Sequence, residues 1–62
     1  MDRTLPLTRS DIERAARLMI DDYGSDALAK AMDRAYELRR EGYESVANTW
    51  YLICAAIDDH QT

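Results

Sequence analysis

A chain of 62 residues with one cysteine, a net charge of −4 and 47% hydrophobic residues holds one domain at most. So short a chain buries only about 60% of the surface that its unfolded form exposes, so tight helix packing or a second subunit has to supply its stability. A disulfide within the chain is excluded because Cys54 is alone, and a lone thiol is typical of a reducing compartment. The sequence contains no signal peptide and no run of about 18 apolar residues, so we expect a cytoplasmic protein that does not enter a membrane.

Charge is unevenly distributed along the chain. Residues 1–20 carry four basic and three acidic side chains (+1), residues 21–42 carry four and six (−2), and residues 43–62 carry none and three (−3). Because nucleic-acid binding relies on cationic contacts to phosphate, this distribution argues against DNA or RNA as the partner. One alternative stays open, a small regulatory protein that contacts nucleic acid through the arginines of the first helix, Arg9, Arg14 and Arg17.

The periodicity of apolar residues predicts an all-α fold, and no sustained alternation indicates a strand. We expect a single three-helix domain with helices at about residues 9–23, 26–41 and 44–58. Residues 1–8 are predicted to form an N-terminal arm and residues 59–62 a flexible tail. Short connections place consecutive helices antiparallel, in a three-helix bundle or a dimer of such bundles.

The first helix has a strong start signal. Thr8 is predicted as the N-cap with Asp11 at N3, and Leu7 and Ile12 occupy the two positions of a hydrophobic staple. Gly24 is predicted to end the helix. The predicted core face contains Ile12, Ala16, Met19 and Tyr23.

The second helix is predicted to begin at an N-cap of Ser25 or Asp26 and to stop at Gly42. We expect Arg39, in the last turn, to lay its stem over the core and direct its guanidinium to the helix C-terminus. The apolar arc of this helix holds Leu28, Met32 and Ala35, flanked by Ala31, Leu38 and Tyr36.

The third helix is the most apolar part of the chain. Its main stripe is Val46, Trp50, Ile53 and Ile57, with Ala47 and Cys54 beside it. A second arc, formed by Leu52 and Ala56, widens the apolar surface to roughly 220° of the helix, about twice the usual stripe. One neighbouring helix would cover only one side of the third helix, so something else has to cover the rest of its apolar surface. Asp58 and Asp59 oppose the helix dipole, so we expect the end to fray.

A set of mostly apolar and helix-terminating residues, from about Ile12 to Asp59, resembles short, uncharacterised bacterial proteins, a domain of unknown function with the pattern RAA-x-LLI-x₂-[YH]-G and a late W-x₂-I-x₂-AI. The residues that carry the resemblance are Ile12, Arg14, Ala15, Ala16, Leu18, Met19, Ile20, Tyr23, Gly24, Asp26, Ala27, Ala31, Met32, Arg34, Ala35, Leu38, Gly42, Trp50, Ile53, Ala56 and Ile57. Tyr51 and Leu52 stand where members of the family often carry Lys-Arg, which enlarges the apolar surface. The resemblance implies a helical scaffold and no known activity.

The sequence contains no convincing catalytic, cofactor or metal site. His60 is the only histidine and lies in the predicted tail, where a general base is not held in position. Asp58, Asp59 and His60 lack a fourth metal ligand and a rigid frame. Cys54 lies on the core stripe with no base at i±3 or i±4, so we expect a buried, small hydrophobic residue. We therefore predict a non-enzymatic protein with no small-molecule substrate.

Aromatic and apolar residues of the third helix are the feature that points to a function. Tyr43, Tyr51, Leu52 and Ala56 are predicted to form an interface, because Tyr and Trp are enriched at binding hot spots and Leu52 and Ala56 adjoin the main stripe. The segment from Tyr36 to Trp50 is faintly similar to one tetratricopeptide helix pair. This similarity keeps protein binding open as the function. The predicted function is protein–protein interaction, with itself as a homodimer or with an unidentified protein.

Overall fold

The computed structural model describes residues 8–61, which are all-α with no strand among them. The helical residues form two unbroken runs, 9–40 and 44–61. The elements in chain order are α1 (Arg9–Tyr23), a 3₁₀ turn (Gly24–Asp26), α2 (Ala27–Arg40) and α3 (Glu44–Gln61). The predicted all-α class is confirmed, but the connection between α1 and α2 is itself helical. Within residues 8–61, no helix has the length and apolar content to cross a bilayer.

A capping box starts α1 at the predicted residue. The Thr8 backbone N–H donates to Asp11 Oδ2 at 3.1 Å, and the Asp11 backbone N–H donates to Thr8 Oγ1 at 3.2 Å. The two bonds satisfy N–H groups that have no partner inside the helix. The predicted staple residue Leu7 lies, with the rest of residues 1–7, outside the described part of the chain.

Gly42 ends α2 because the chain reverses there in a Schellman motif. Gly42 adopts a φ of 92°, which glycine tolerates without steric cost. The Tyr43 N–H donates to the Leu38 carbonyl at 2.9 Å, and the Gly42 N–H donates to the Arg39 carbonyl at 3.1 Å. The carbonyl of Tyr43 then accepts from the Ala47 N–H, so α3 begins immediately after the turn.

Alanine dominates the core. Among residues 8–61, six of the ten buried hydrophobic residues are alanines; the ten are Ala16, Ala27, Ala31, Ala35, Leu38, Ala47, Ile53, Cys54, Ala56 and Ile57. Ile57 is the only large side chain among them that is fully buried. Small side chains let the helices approach closely, but each buries little apolar area.

Several large residues that the sequence placed in the core are partly or mostly outside it. Tyr23, Met32 and Val46 are each about half exposed, and Trp50 packs on the edge of the core. In α2 the buried face is centred on Ala31 and its neighbours one turn away, so Met32 is rotated by about 100° to the flank. The prediction was wrong there because it favoured large apolar side chains for the buried face. In the structure, the close approach of the helix backbones selects small residues for that face.

The predicted end of α3 at Asp58 was also wrong, because α3 continues through Gln61. Residues 59–61, assigned to a flexible tail, form the last helical turn, and Thr62 lies outside the described residues. His60 Nε2 donates to Glu13 Oε1 at 3.0 Å, and Gln61 Nε2 donates to the Gly24 carbonyl at 2.9 Å. These contacts to α1 and the 3₁₀ turn stabilise the end of α3, where Asp58 and Asp59 interact unfavourably with the helix dipole.

The alanine packing predicts an asymmetric response to enlarged side chains on α2. Ala31→Leu should destabilise the fold by about 1–3 kcal/mol, because Ala31 is fully buried and the added atoms have no space. Ala29→Leu, an exposed position on the same helix, is the matched control and should change the free energy of unfolding by less than about 0.5 kcal/mol. Urea denaturation followed by circular dichroism measures both, and equal effects would contradict the assignment of the buried face.

Candidate protein interface at a groove between α1 and α3

A groove of about 450 Å³ separates the first turns of α1 from the second half of α3. Its lining residues are Thr8, Arg9, Ile12 and Glu13 from α1 and its cap, and Leu52, Ala55, Ala56 and Asp59 from α3. The residues of α3 recur every three or four positions, so they lie on one face of the helix. The capping box fixes the α1 side of the groove, since Thr8 belongs to both.

The groove combines apolar lining residues with charged ones on both of its sides. Leu52 is 59% exposed, although it belongs to the most apolar helix of the chain. Ile12 is half-buried and packs against the core, so the apolar surface is continuous from the core to the groove. Arg9 and Glu13 contribute charges from α1, and Asp59 contributes one from α3. An apolar centre with a charged rim is the usual anatomy of a protein–protein interface.

The structure separates the four residues predicted to form an interface. Leu52 and Ala56 lie together in the groove. Ala56, however, is only 9% exposed and packs in the core of the chain, so it has little surface to offer a partner. Tyr51 lies in a different depression, and Tyr43 is exposed at the turn between α2 and α3. The depression that contains Tyr51 is lined by Arg39, Glu44, Ala47 and Asn48 as well.

Sequence analysis did not assign six of the eight groove residues to a protein interface, among them the apolar Ile12 and Ala55. Ile12 was assigned to the core, and it does pack against the core. Ala55 follows Leu52 by three residues, and this spacing was the signal that could have identified it. No local pattern indicates that the first turns of α1 face this part of α3.

A pair of side-chain contacts holds the end of α3 against the preceding elements. Glu13, which lines the groove, accepts from His60, and Gln61 reaches the Gly24 carbonyl. His60 also borders a small depression with Arg17, Ile20, Asp21 and Gln61, none of which is a hydroxyl or thiol nucleophile. The geometry of His60 therefore serves to position α3 beside α1.

Cys54 is buried, as predicted. Burial raises the pKa of its thiol by disfavouring the thiolate, which opposes nucleophilic chemistry. Across residues 8–61, no three His, Cys, Asp or Glu side chains are grouped so as to hold a metal ion.

Three arginines of α1 share a shallow depression that adjoins the groove. Arg9, Arg14 and Arg17 line it together with Ser10 and Glu13. Arg9 and Glu13 belong to the groove as well, so the two surfaces are continuous. The depression is the most basic surface feature of α1, and Glu13 partly offsets its charge.

Comparison with known proteins yields no relative: no protein-family model, no curated protein and no solved structure matches the chain. The resemblance to short bacterial helical proteins therefore stays a prediction.

The capping box predicts a pH dependence that is specific to the α1 end of the groove. Hydrogen bonds from the backbone and side chain of Thr8 lower the pKa of Asp11 below its ordinary value. Because the folded-state pKa is the lower one, the stabilisation is complete above the unfolded-state pKa and disappears as the pH falls through the folded-state pKa. Urea midpoints should therefore be higher for the wild type than for Asp11→Asn at pH 6, and the difference should shrink as the pH falls through the folded-state pKa of Asp11. A gap that persists at low pH would contradict this role for the carboxylate.

Proposed function

We propose that the chain is a small non-enzymatic module that folds as a three-helix bundle and binds a protein surface through α3. The surface belongs to a second copy or to another protein, and the module acts in the cytoplasm. The exposure of large apolar side chains around an alanine-rich core carries this proposal. A lone, buried thiol supports a reducing compartment.

Many large hydrophobic side chains of residues 8–61 are exposed. Seven are between 45% and 61% exposed: Leu18, Tyr23, Met32, Tyr36, Tyr43, Val46 and Leu52. Single exposed apolar residues are normal on a protein surface. Here, however, only three large apolar side chains of the described residues are buried, Leu38, Ile53 and Ile57, and association with another surface would remove the exposed ones from water.

Among these residues, Leu52 has the surroundings of a binding site. Its groove contains Ile12, Ala55 and Ala56, so the exposed leucine belongs to a continuous apolar surface. Leu18 is 58% exposed, nearly the same as Leu52, yet lines none of the described depressions. The difference between the two leucines lies in their neighbours and makes Leu18 a matched control.

Leu52→Glu should weaken association while leaving helicity unchanged, because a charge is placed in an apolar groove that a partner has to enter. Light scattering across a hundredfold dilution measures the molar mass, and circular dichroism measures the helicity. Leu18→Glu, equal in charge and in exposure, should leave the molar mass unchanged.

The possible results distinguish a role of Leu52 in binding from a role in folding and from an effect of net charge. If Leu52→Glu unfolds the chain, Leu52 stabilises the fold and the interface proposal loses its central residue. If Leu18→Glu and Leu52→Glu reduce association equally, the effect is one of net charge, and the groove has no special part in it. A wild type that stays monomeric leaves a foreign protein as the partner, and Leu52→Glu should then abolish its capture.

A second candidate function is nucleic-acid binding, favoured by the shared depression of Arg9, Arg14 and Arg17. Cations gathered on one helix face are able to contact phosphates. If this function holds, a labelled DNA or RNA should show a mobility shift that weakens with salt and disappears in Arg14→Gln/Arg17→Gln. A wild type that shifts neither probe at low salt excludes it.

A further inference from the structure

We infer that the groove binds a second copy of this chain about a two-fold axis, with Leu52 facing Leu52 and Arg9 of each copy facing Asp59 of the other. The inference rests on the proposed function and specifies its partner. In a two-fold interface the same patch is used twice, so the patch has to complement itself. The groove meets this condition in shape and in charge.

Shape complementarity arises from the residues on either side of Leu52. Its side chain is 59% exposed, while Ala55, also exposed in the same groove, is small and leaves space beside it. A leucine from a second copy fits next to such an alanine as a knob fits a hole between helices. One surface therefore provides both the projecting side chain and the space that receives it.

Charge complementarity comes from the two sides of the groove, formed by α1 and α3. Arg9 projects from the first turn of α1, and Asp59 projects from the last turns of α3. A two-fold rotation exchanges the α1 and α3 sides, so each arginine meets an aspartate of the other copy. Beyond Arg9 the surface becomes more basic, through Arg14 and Arg17.

A stable dimer usually buries about 800 Å² on each partner, more than one leucine and its neighbours supply. The arginine depression provides the additional surface, because it shares Arg9 and Glu13 with the groove. Opposite charges at such a rim set the partner and its orientation more than they set the affinity. The apolar centre supplies the affinity, and the rim selects the two-fold arrangement.

Charge exchange tests this arrangement in the full-length chain. Arg9→Asp places two like charges together at both ends of the interface, and Asp59→Arg does the same with the opposite sign. Each variant alone should dimerise at least about tenfold more weakly than the wild type. A mixture of the two variants should form a heterodimer with nearly wild-type affinity, because every pair is then opposite in sign.

The substitutions have a useful property: both are favourable to their own helices. Arg9→Asp puts an acid in the first turn of α1, and Asp59→Arg puts a base in the last turn of α3, as the helix dipole prefers. Weaker dimerisation therefore cannot be attributed to melted helices, and circular dichroism checks this directly. The double variant Arg9→Asp/Asp59→Arg is a second check, since it should dimerise with itself.

The outcomes separate this inference from the proposed function. Dimers that persist in both single variants and disappear in Leu52→Glu would refute the Arg9–Asp59 pairing and leave α3 as the interface. Dimers unaffected by all three changes would place self-association elsewhere on the chain. A wild type that stays monomeric would overturn the inference and leave a foreign protein as the partner of the groove.

Discussion

The close packing of alanines along α2 is the constraint on which the rest of the structure depends. Ala27, Ala31 and Ala35 repeat every four residues and are fully buried, so α2 presents a flat face to its neighbours. A flat face allows short distances between helix axes and leaves no room for a large side chain. Larger residues are consequently displaced to the flanks of the helices, where Met32 and Tyr36 are exposed.

Local signals allowed the helix ends to be predicted where local bonds determine them. Thr8 with Asp11 and the glycine at position 42 are such cases, because the capping partners lie within a few residues along the chain. The buried face of α2 could not be predicted in the same way. Hydrophobicity favours Met32 over Ala31, whereas the packing selects the smaller residue. The distance between two helices depends on both of them, so it cannot be predicted from either helix alone.

The residues of the candidate site also differ in whether the sequence of one helix is enough to identify them. Leu52 could be identified from the excess width of the apolar surface on α3, a property of one helix. Ile12 could not, because its place in the groove depends on how α1 lies against α3. The ordered end of α3 has the same origin: it is held by contacts of His60 and Gln61 with residues far away in the chain. Long-range contacts thus account for most of what sequence analysis missed.

A core this small links the stability of the chain to its association. Burial of alanines contributes little free energy per residue, whereas covering Leu52 in a complex would remove the exposed 59% of a leucine from water. A partner that binds only the folded chain raises the free energy of unfolding in proportion to the logarithm of its concentration. If the groove is the binding site, the exposed Leu52 is therefore not lost to stability. It contributes to stability in the complex, so binding adds the burial of large side chains that the alanine-rich core lacks.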